Sequence, residues 1–306
     1  MYINYQQIGV WHRTTSTHCD SLEWCRLVRM VTAGMMALKF DVMGFWKLVT
    51  FGEEEFPFMR ARQFVLDNYS FAVQLTIAYI IAIFSIKYIM QSRDPFQLTN
   101  PLRVWNLILS IFSIVGTIRM MPFMIQQFMT IGLTKTNCSS GLSTLPDYAE
   151  YWLFLTIISK FAEFVDTIFL VLRKKPLIFL HWYHHVTTCL FFALAYTTPS
   201  SQTRVGAITN MFVHAVMYPY YFARSCNINV NKKVSMLVTV LQLAQFLFFI
   251  YGCSTLYYKL MIGKFDCDTP VYILHATAWI SITYLMLFAN FFYHTYFGAK
   301  IKKKGE

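Results

Sequence analysis

Charge is scarce in this chain of 306 residues: only 13% are Asp, Glu, Lys or Arg. Soluble domains carry about 25%. With 56% hydrophobic and 18% aromatic residues, the shortage excludes a water-soluble globular protein and marks a membrane protein. Other absences narrow the reading. The seven cysteines show no CxxC or zinc-type spacing, so neither a metal cluster nor a disulfide framework is signalled. Residues 1–20 are polar and lack the apolar core and small-residue cleavage site of a signal peptide. The net charge of +11 says little until the charges are placed on loops, and no nucleic-acid partner is expected.

What the chain does have is apolar runs. Seven come near the ~20 residues that a bilayer crossing needs; they cover 70–90, 104–131, 148–172, 177–196, 205–223, 234–258 and 271–297. Short loops between them leave no room for a soluble domain. The expectation is an all-α polytopic membrane protein with seven transmembrane helices. The run 27–51 is not counted, because Arg29, Lys39, Asp41 and Lys47 interrupt it too often for a lipid-facing helix. The chain then divides into a non-cytosolic N-terminal region (1–69), a seven-helix domain (70–299) and a basic tail (300–306).

One set of loops holds Lys87, Arg93, Arg103, Arg173, Lys174, Lys175, Arg224, Lys232 and Lys233, and continues into the lysines of the tail. The opposite set, residues 1–69 aside, holds only Lys135, Arg204, Lys259 and Lys264. The positive-inside rule puts the first set, and the C-terminus, in the cytosol. Asn68-Tyr69-Ser70 and Asn137-Cys138-Ser139 are glycosylation sequons on the other side, Asn68 close to the membrane. Cys138 and Cys267 fall there too, and a disulfide or two solvent-facing thiols both suit that side. Lys303 and Lys304, fourth and third from the end, read as a dilysine retrieval signal for the endoplasmic reticulum or as a basic contact for anionic lipid.

Three histidines lie inside one of the apolar runs: His181, His184 and His185. Ionisable groups at membrane depth are costly and usually functional. On a helix, His181 shares a face with the residues three and four places on. Neighbouring runs carry polar stripes of their own. Lys160, Glu163, Asp166 and Thr167 form one sector, in which a purely structural Lys–Glu pair is the alternative. Asn210, His214, Met217 and Tyr221 form another, with Pro219 expected to kink that helix. Thr239, Gln242 and Gln245 form a third, for which interhelical hydrogen bonding is the bland explanation. At ~1.5 Å per residue, His184, Asp166, His214 and Gln242 all lie about 10–15 Å in from the cytosolic ends of their helices. Independent structural pairs have no reason to share a depth; one buried polar chamber opening toward the cytosol does.

Imidazole can ligate a metal, shuttle a proton or accept an acyl group. A histidine-box iron desaturase or hydroxylase needs about eight ligands in several boxes. Here there is one box, and His12, His18, His275 and His294 are scattered. A proton-coupled transporter would bring inverted repeats and broken helix pairs, which are not evident. Acyl transfer through histidine needs a neighbouring donor or base and a dry cavity, for which Trp182, Tyr183, Met217 and the 29 Phe offer apolar walls. Arg173-Lys174-Lys175 and Lys232-Lys233 could meet CoA phosphates, although topology and lipid contact also account for them.

At these residues the sequence resembles the ELO family of very-long-chain fatty acid elongases. Four of its motifs stand in order: KxxExxDT (Lys160, Glu163, Asp166, Thr167), HxxHH (His181, His184, His185), NxxxHxxMYxYY (Asn210, His214, Met217, Tyr218, Tyr220, Tyr221) and TxxQxxQ (Thr239, Gln242, Gln245). The likeness runs from about residue 51 to the tail, and the wording around His181 is closest to the long-chain saturated and monounsaturated subgroup. Residues 1 to about 45 exceed the family's usual start, with Met35, Met36 and Met43 as later candidate initiators. The resemblance implies a very-long-chain 3-oxoacyl-CoA synthase, an acyltransferase that condenses malonyl-CoA with a long-chain acyl-CoA and needs no cofactor. It also implies six helices forming a barrel around a narrow acyl chamber, with one helix outside. His184 would be the acyl acceptor with His214 beside it, and His181 and His185 orienting or proton-handling neighbours. Lys160, Glu163, Asp166, Asn210, Met217, Tyr221, Gln242 and Gln245 would line the substrate site. The expected partners are the ketoreductase, dehydratase and enoyl reductase of the elongation cycle, in the endoplasmic reticulum membrane, and a second copy in a homodimer.

Overall fold

The apolar runs fold as helices. The computed structural model describes residues 41–54, 56–138, 146–198, 200–263 and 267–297. The tail with Lys303 and Lys304, and residues 27–40 of the first run, lie outside the described residues. Among the described residues every regular element is helical. Two short helices, α1 (Val42–Phe51) and α2 (Phe58–Asp67), precede α3 (Tyr69–Ile89). Then come α4 (Thr99–Cys138), α5 (Asp147–Ala162), α6 (Phe164–Leu172), α7 (Phe179–Thr197), α8 (Ser201–Ser225), α9 (Lys232–Met261) and α10 (Val271–Tyr296).

Local chemistry sets the boundaries. Pro57, Pro146 and Pro270 hold the N-cap positions of α2, α5 and α10, where a missing N–H costs nothing. Ser200 and Asn231 cap α8 and α9 by accepting hydrogen bonds from the backbone N–H groups of Gln202 and Lys233. Gly132 interrupts α4 with φ 79°, a conformation that glycine adopts without steric cost. Pro219 lies inside α8, which continues through it to Ser225.

Four helical stretches are long and apolar enough to cross a bilayer: Tyr69–Ser92, Thr99–Cys138, Lys232–Met261 and Val271–Tyr296. The other three expected crossings are helical as well. The run 148–172 is divided at Glu163 into α5 and α6, each too short to span alone. In α7 and α8 the histidines, Asn210 and their polar neighbours displace the apolar residues that a simple span would carry.

One core joins α1, α2, α4, α5, α7 and α8. It buries Leu48, Phe56, Ala61, Val65, Met120, Trp152, Phe154, Ile157, Phe192, Tyr196, Ile208 and Met211. The short helices before the first span, which the sequence alone assigns to the N-terminal region, thus pack into the same core as the later helices. α4 and α8 pack along each other most extensively. Gly116 lets α4 and α8 approach closely: a Cβ there would overlap Met211 Sδ and stand 3.0 Å from Trp152 Cε3. Gly116→Val is expected to cost about 1–3 kcal/mol through overpacking. A lowered melting temperature of the detergent-purified variant would report it, and an unchanged one would show that Met211 moves aside.

One residue sits elsewhere than the sequence suggested. Arg204 is a buried residue near the start of α8 rather than a loop cation, and its Nη2 donates to the Thr136 carbonyl. Asn137 is only 3% exposed, with its Nδ2 bonded to the Leu133 carbonyl. Asn68 is half-buried at the α2–α3 junction, with its amide on the Phe64 carbonyl. Cys138 and Cys267 are joined as a disulfide, Cα to Cα 5.0 Å.

Candidate active site

The polar stripes meet. Lys160 on α5 is buried, and its Nζ donates to Glu163 Oε1 at 2.7 Å and to Asn210 Oδ1 at 2.6 Å. Asn210 Nδ2 lies 3.3 Å from His214 Nε2, and His214 Nδ1 lies 3.6 Å from Glu163 Oε1. This closed ring of four side chains from two separate sequence motifs leaves each charge with a partner, the condition on which charge is tolerated inside a bundle. The break between α5 and α6 falls on Glu163, at the point where it serves both Lys160 and His214. Mid-helix irregularities of this kind often mark functional positions.

Asp166 is engaged elsewhere. Trp105 Nε1 on α4 donates to its Oδ1 at 2.6 Å, and the Tyr218 hydroxyl on α8 donates to its Oδ2 at 3.0 Å. Tyr218 then stands edge-on to His214, ring centroids 5.1 Å apart. Tyr221 is the tyrosine of this stripe that the motif pattern places at the substrate. It is 43% exposed and touches the rings of Tyr218 and Tyr220, whereas Tyr218 is buried. Tyr218 follows His214 by four residues and so shares its side of α8, while Tyr221 lies a turn closer to the helix end.

The histidine box divides its work. His181 Nε2 pairs with Thr167 Oγ1 at 2.9 Å, and Thr167 in turn meets the Tyr79 hydroxyl of α3 at 2.7 Å. His184 turns the other way, toward Tyr284 and Phe288 of α10, with ring centroids at 4.9 and 6.2 Å. His185 is buried, 4.5 Å from the His181 ring and 5.5 Å from that of His184. A common face for all three was expected. Steps of three and four residues, however, place His184 and His185 on either side of His181, about 100° apart. Among the described residues no three His, Cys, Asp or Glu side chains come together as a metal-holding group.

A slender cavity of about 50 Å³ starts at this centre. Its walls step along four helices in one direction: His184, Thr188 and Phe191 on α7; Asn210, Gly206 and Gln202 on α8; Gln245 and Phe249 on α9; Tyr284, Ser281 and Thr277 on α10. Successive residues are three or four apart, the period of a helix face. The cavity therefore runs parallel to the helices, over roughly 10 Å at 1.5 Å per residue. Gln242 stands one turn before Gln245 and donates to Met217 Sδ at 3.3 Å. Thr239 is buried and bonds its own helix at the Ser235 carbonyl. At the near side of the bundle, Lys174 Nζ is held by the carbonyls of Gln91 and Arg93, and Arg103 Nε donates to the Ser225 carbonyl. Those two cations brace loops, while Lys175, Lys232 and Lys233 stand exposed.

The chain is similar to known proteins over most of its length. Residues 64–304 match the model of the ELO (GNS1/SUR4) family. "Long chain fatty acid elongase 1" of Caenorhabditis elegans is 37% identical over 272 residues, covering 88% of this chain and 94% of that protein. "Very long chain fatty acid elongase 6" of Drosophila melanogaster is 37% identical over 80% of this chain and 78% of its own length. "Very long chain fatty acid elongase 6" of Homo sapiens is 34% identical over 82% of this chain and 93% of its own length. With its four motifs gathered around one buried centre, the chain belongs to the ELO (GNS1/SUR4) family of fatty acid elongases.

Proposed function

We propose that this protein is the condensing enzyme of fatty acid elongation, joining malonyl-CoA to a long-chain acyl-CoA. The observation that carries the reading is the cavity leading away from His184 along four helices, apolar for much of its length and polar at its head. A thioester at the head would meet an imidazole, while its chain would occupy a dry slot. Attack by the His184 ring on the thioester carbonyl forms an N-acyl bond, breaks the C–S bond and releases CoA. Malonyl-CoA then loses CO2, and the resulting carbanion attacks the acyl carbon and frees the imidazole. The products are 3-oxoacyl-CoA, CO2 and CoA. His214, held between Asn210 and Glu163, is suited to orient or protonate groups in the second step.

On this reading all seven expected segments cross the membrane, six of them surround the chamber, and the C-terminus faces the cytosol of an endoplasmic reticulum membrane. Lys175, Lys232 and Lys233 would meet CoA phosphates at the mouth. The chain needs no bound cofactor and hands its product to a ketoreductase, followed by a dehydratase and an enoyl reductase. Purified protein supplied with malonyl-CoA and a panel of acyl-CoAs is expected to yield 3-oxoacyl-CoA two carbons longer than each acyl-CoA used, with CO2 and CoA in equal amounts. No product from any chain length would sink the proposal.

A further inference from the structure

The last helix belongs to none of the four motifs, yet one of its residues touches His184 through both a hydroxyl and an aromatic ring. Tyr284 is buried. Its hydroxyl oxygen lies 2.6 Å from Thr187 Oγ1, 2.7 Å from Thr188 Oγ1 and 3.2 Å from the carbonyl oxygen of His184. A tyrosine hydroxyl has one proton to donate and two acceptor positions, and here three partners surround it. The same residue lays its ring against the His184 imidazole, 4.9 Å between centroids and tilted by 46°. Phe246 of α9 packs behind it, 5.3 Å from the Tyr284 ring and 5.2 Å from Phe288.

We propose that Tyr284 is a positioning residue for His184, fixing both the backbone of its turn and the plane of its ring at the head of the cavity. The inference rests on the reading of His184 as the acyl acceptor. Two anchors on one rigid residue remove the freedoms that matter for attack on a carbonyl. The hydroxyl holds the position of the His184 Cα through its carbonyl, and the aromatic face limits rotation of the imidazole. Thr187 Oγ1 also lies 2.6 Å from the Tyr183 carbonyl oxygen, so the threonines tie the grip into the helix itself. A merely structural contact between α7 and α10 would not need its polar atoms gathered on the one turn that carries the reactive ring.

The test compares Tyr284→Phe, the double variant Thr187→Val/Thr188→Val, and His184→Ala, each purified and reconstituted, with malonyl-CoA and a long-chain acyl-CoA. Tyr284→Phe keeps the ring and the cavity wall. Its kcat is expected to fall about tenfold with KM for the acyl-CoA within about twofold, because a bond that orients without binding substrate moves kcat alone. The threonine variant, which keeps the tyrosine and removes two of its partners, is expected to fall in the same pattern and carries the test if Tyr284→Phe fails to accumulate. Unchanged kcat in Tyr284→Phe, or a parallel rise in KM, beside an inactive His184→Ala overturns the positioning role alone. An active His184→Ala overturns the reading of the site on which it rests.

Discussion

His184→Ala is expected to lower two-carbon extension of a long-chain acyl-CoA by about four orders of magnitude or more, the scale on which nucleophile deletions act. The side chain lines the cavity, and among the residues of the box it alone does so. Its neighbours are already committed: His181 to Thr167, and His185 to a packed position against both other rings. Neither can take over the attack without abandoning those contacts. His214→Ala removes a group held in the Lys160–Glu163–Asn210 ring and is expected to cost less, about 10²–10⁴, as an acid–base or orienting residue does. Incorporation of labelled malonyl-CoA by reconstituted protein measures both. Residual activity of His184→Ala within tenfold of the parent would refute the acyl-imidazole route.

The largest effect on stability belongs to Lys160. Its ammonium is 3% exposed, and it supplies the hydrogen bonds that satisfy Glu163 Oε1 and Asn210 Oδ1. Lys160→Met leaves a buried carboxylate without its cation, a change worth about 3–5 kcal/mol in comparable pairs. Lys160→Met combined with Glu163→Leu removes both charges and is expected to recover much of the loss, because two desolvated ions are exchanged for apolar packing. Thermal unfolding of the three proteins in one detergent reads the difference. A single variant as stable as the parent would mean that Glu163 is neutral or finds another donor.

Much of the helical frame was legible in the residues, since the apolar runs sit where helices form and the Gly132 break closes the run that ends at 131. The polar stripes were legible too, because a period of three to four residues shows which side chains share a face. What escaped was pairing between distant elements. Trp105 meets Asp166 across 61 positions, Tyr218 meets Asp166 across 52, and Tyr284 meets the His184 carbonyl across 100. Within an apolar helix a tyrosine reads as an interfacial anchor, and nothing local tells that its hydroxyl finds two threonines. The surroundings of Asn137 were hidden in the same way. A sequon is a local pattern, whereas its accessibility depends on α8: Asn137 gives its carbonyl to the Ser201 hydroxyl and the Gln202 side chain. The split at Glu163 was hidden because the run stays apolar on either side of it.

The grip of α10 on the histidine box also sets an order of assembly. Ribosomes deliver about 5–20 residues per second from the N-terminus. The 100 residues between His184 and Tyr284 therefore separate the two by roughly 5–20 s of synthesis. During that interval the Lys160–Asn210 ring can close, but the His184 turn lacks the hydroxyl and the ring that later pack against it. A chain interrupted before α10 would hold all four family motifs without the helix that packs against His184.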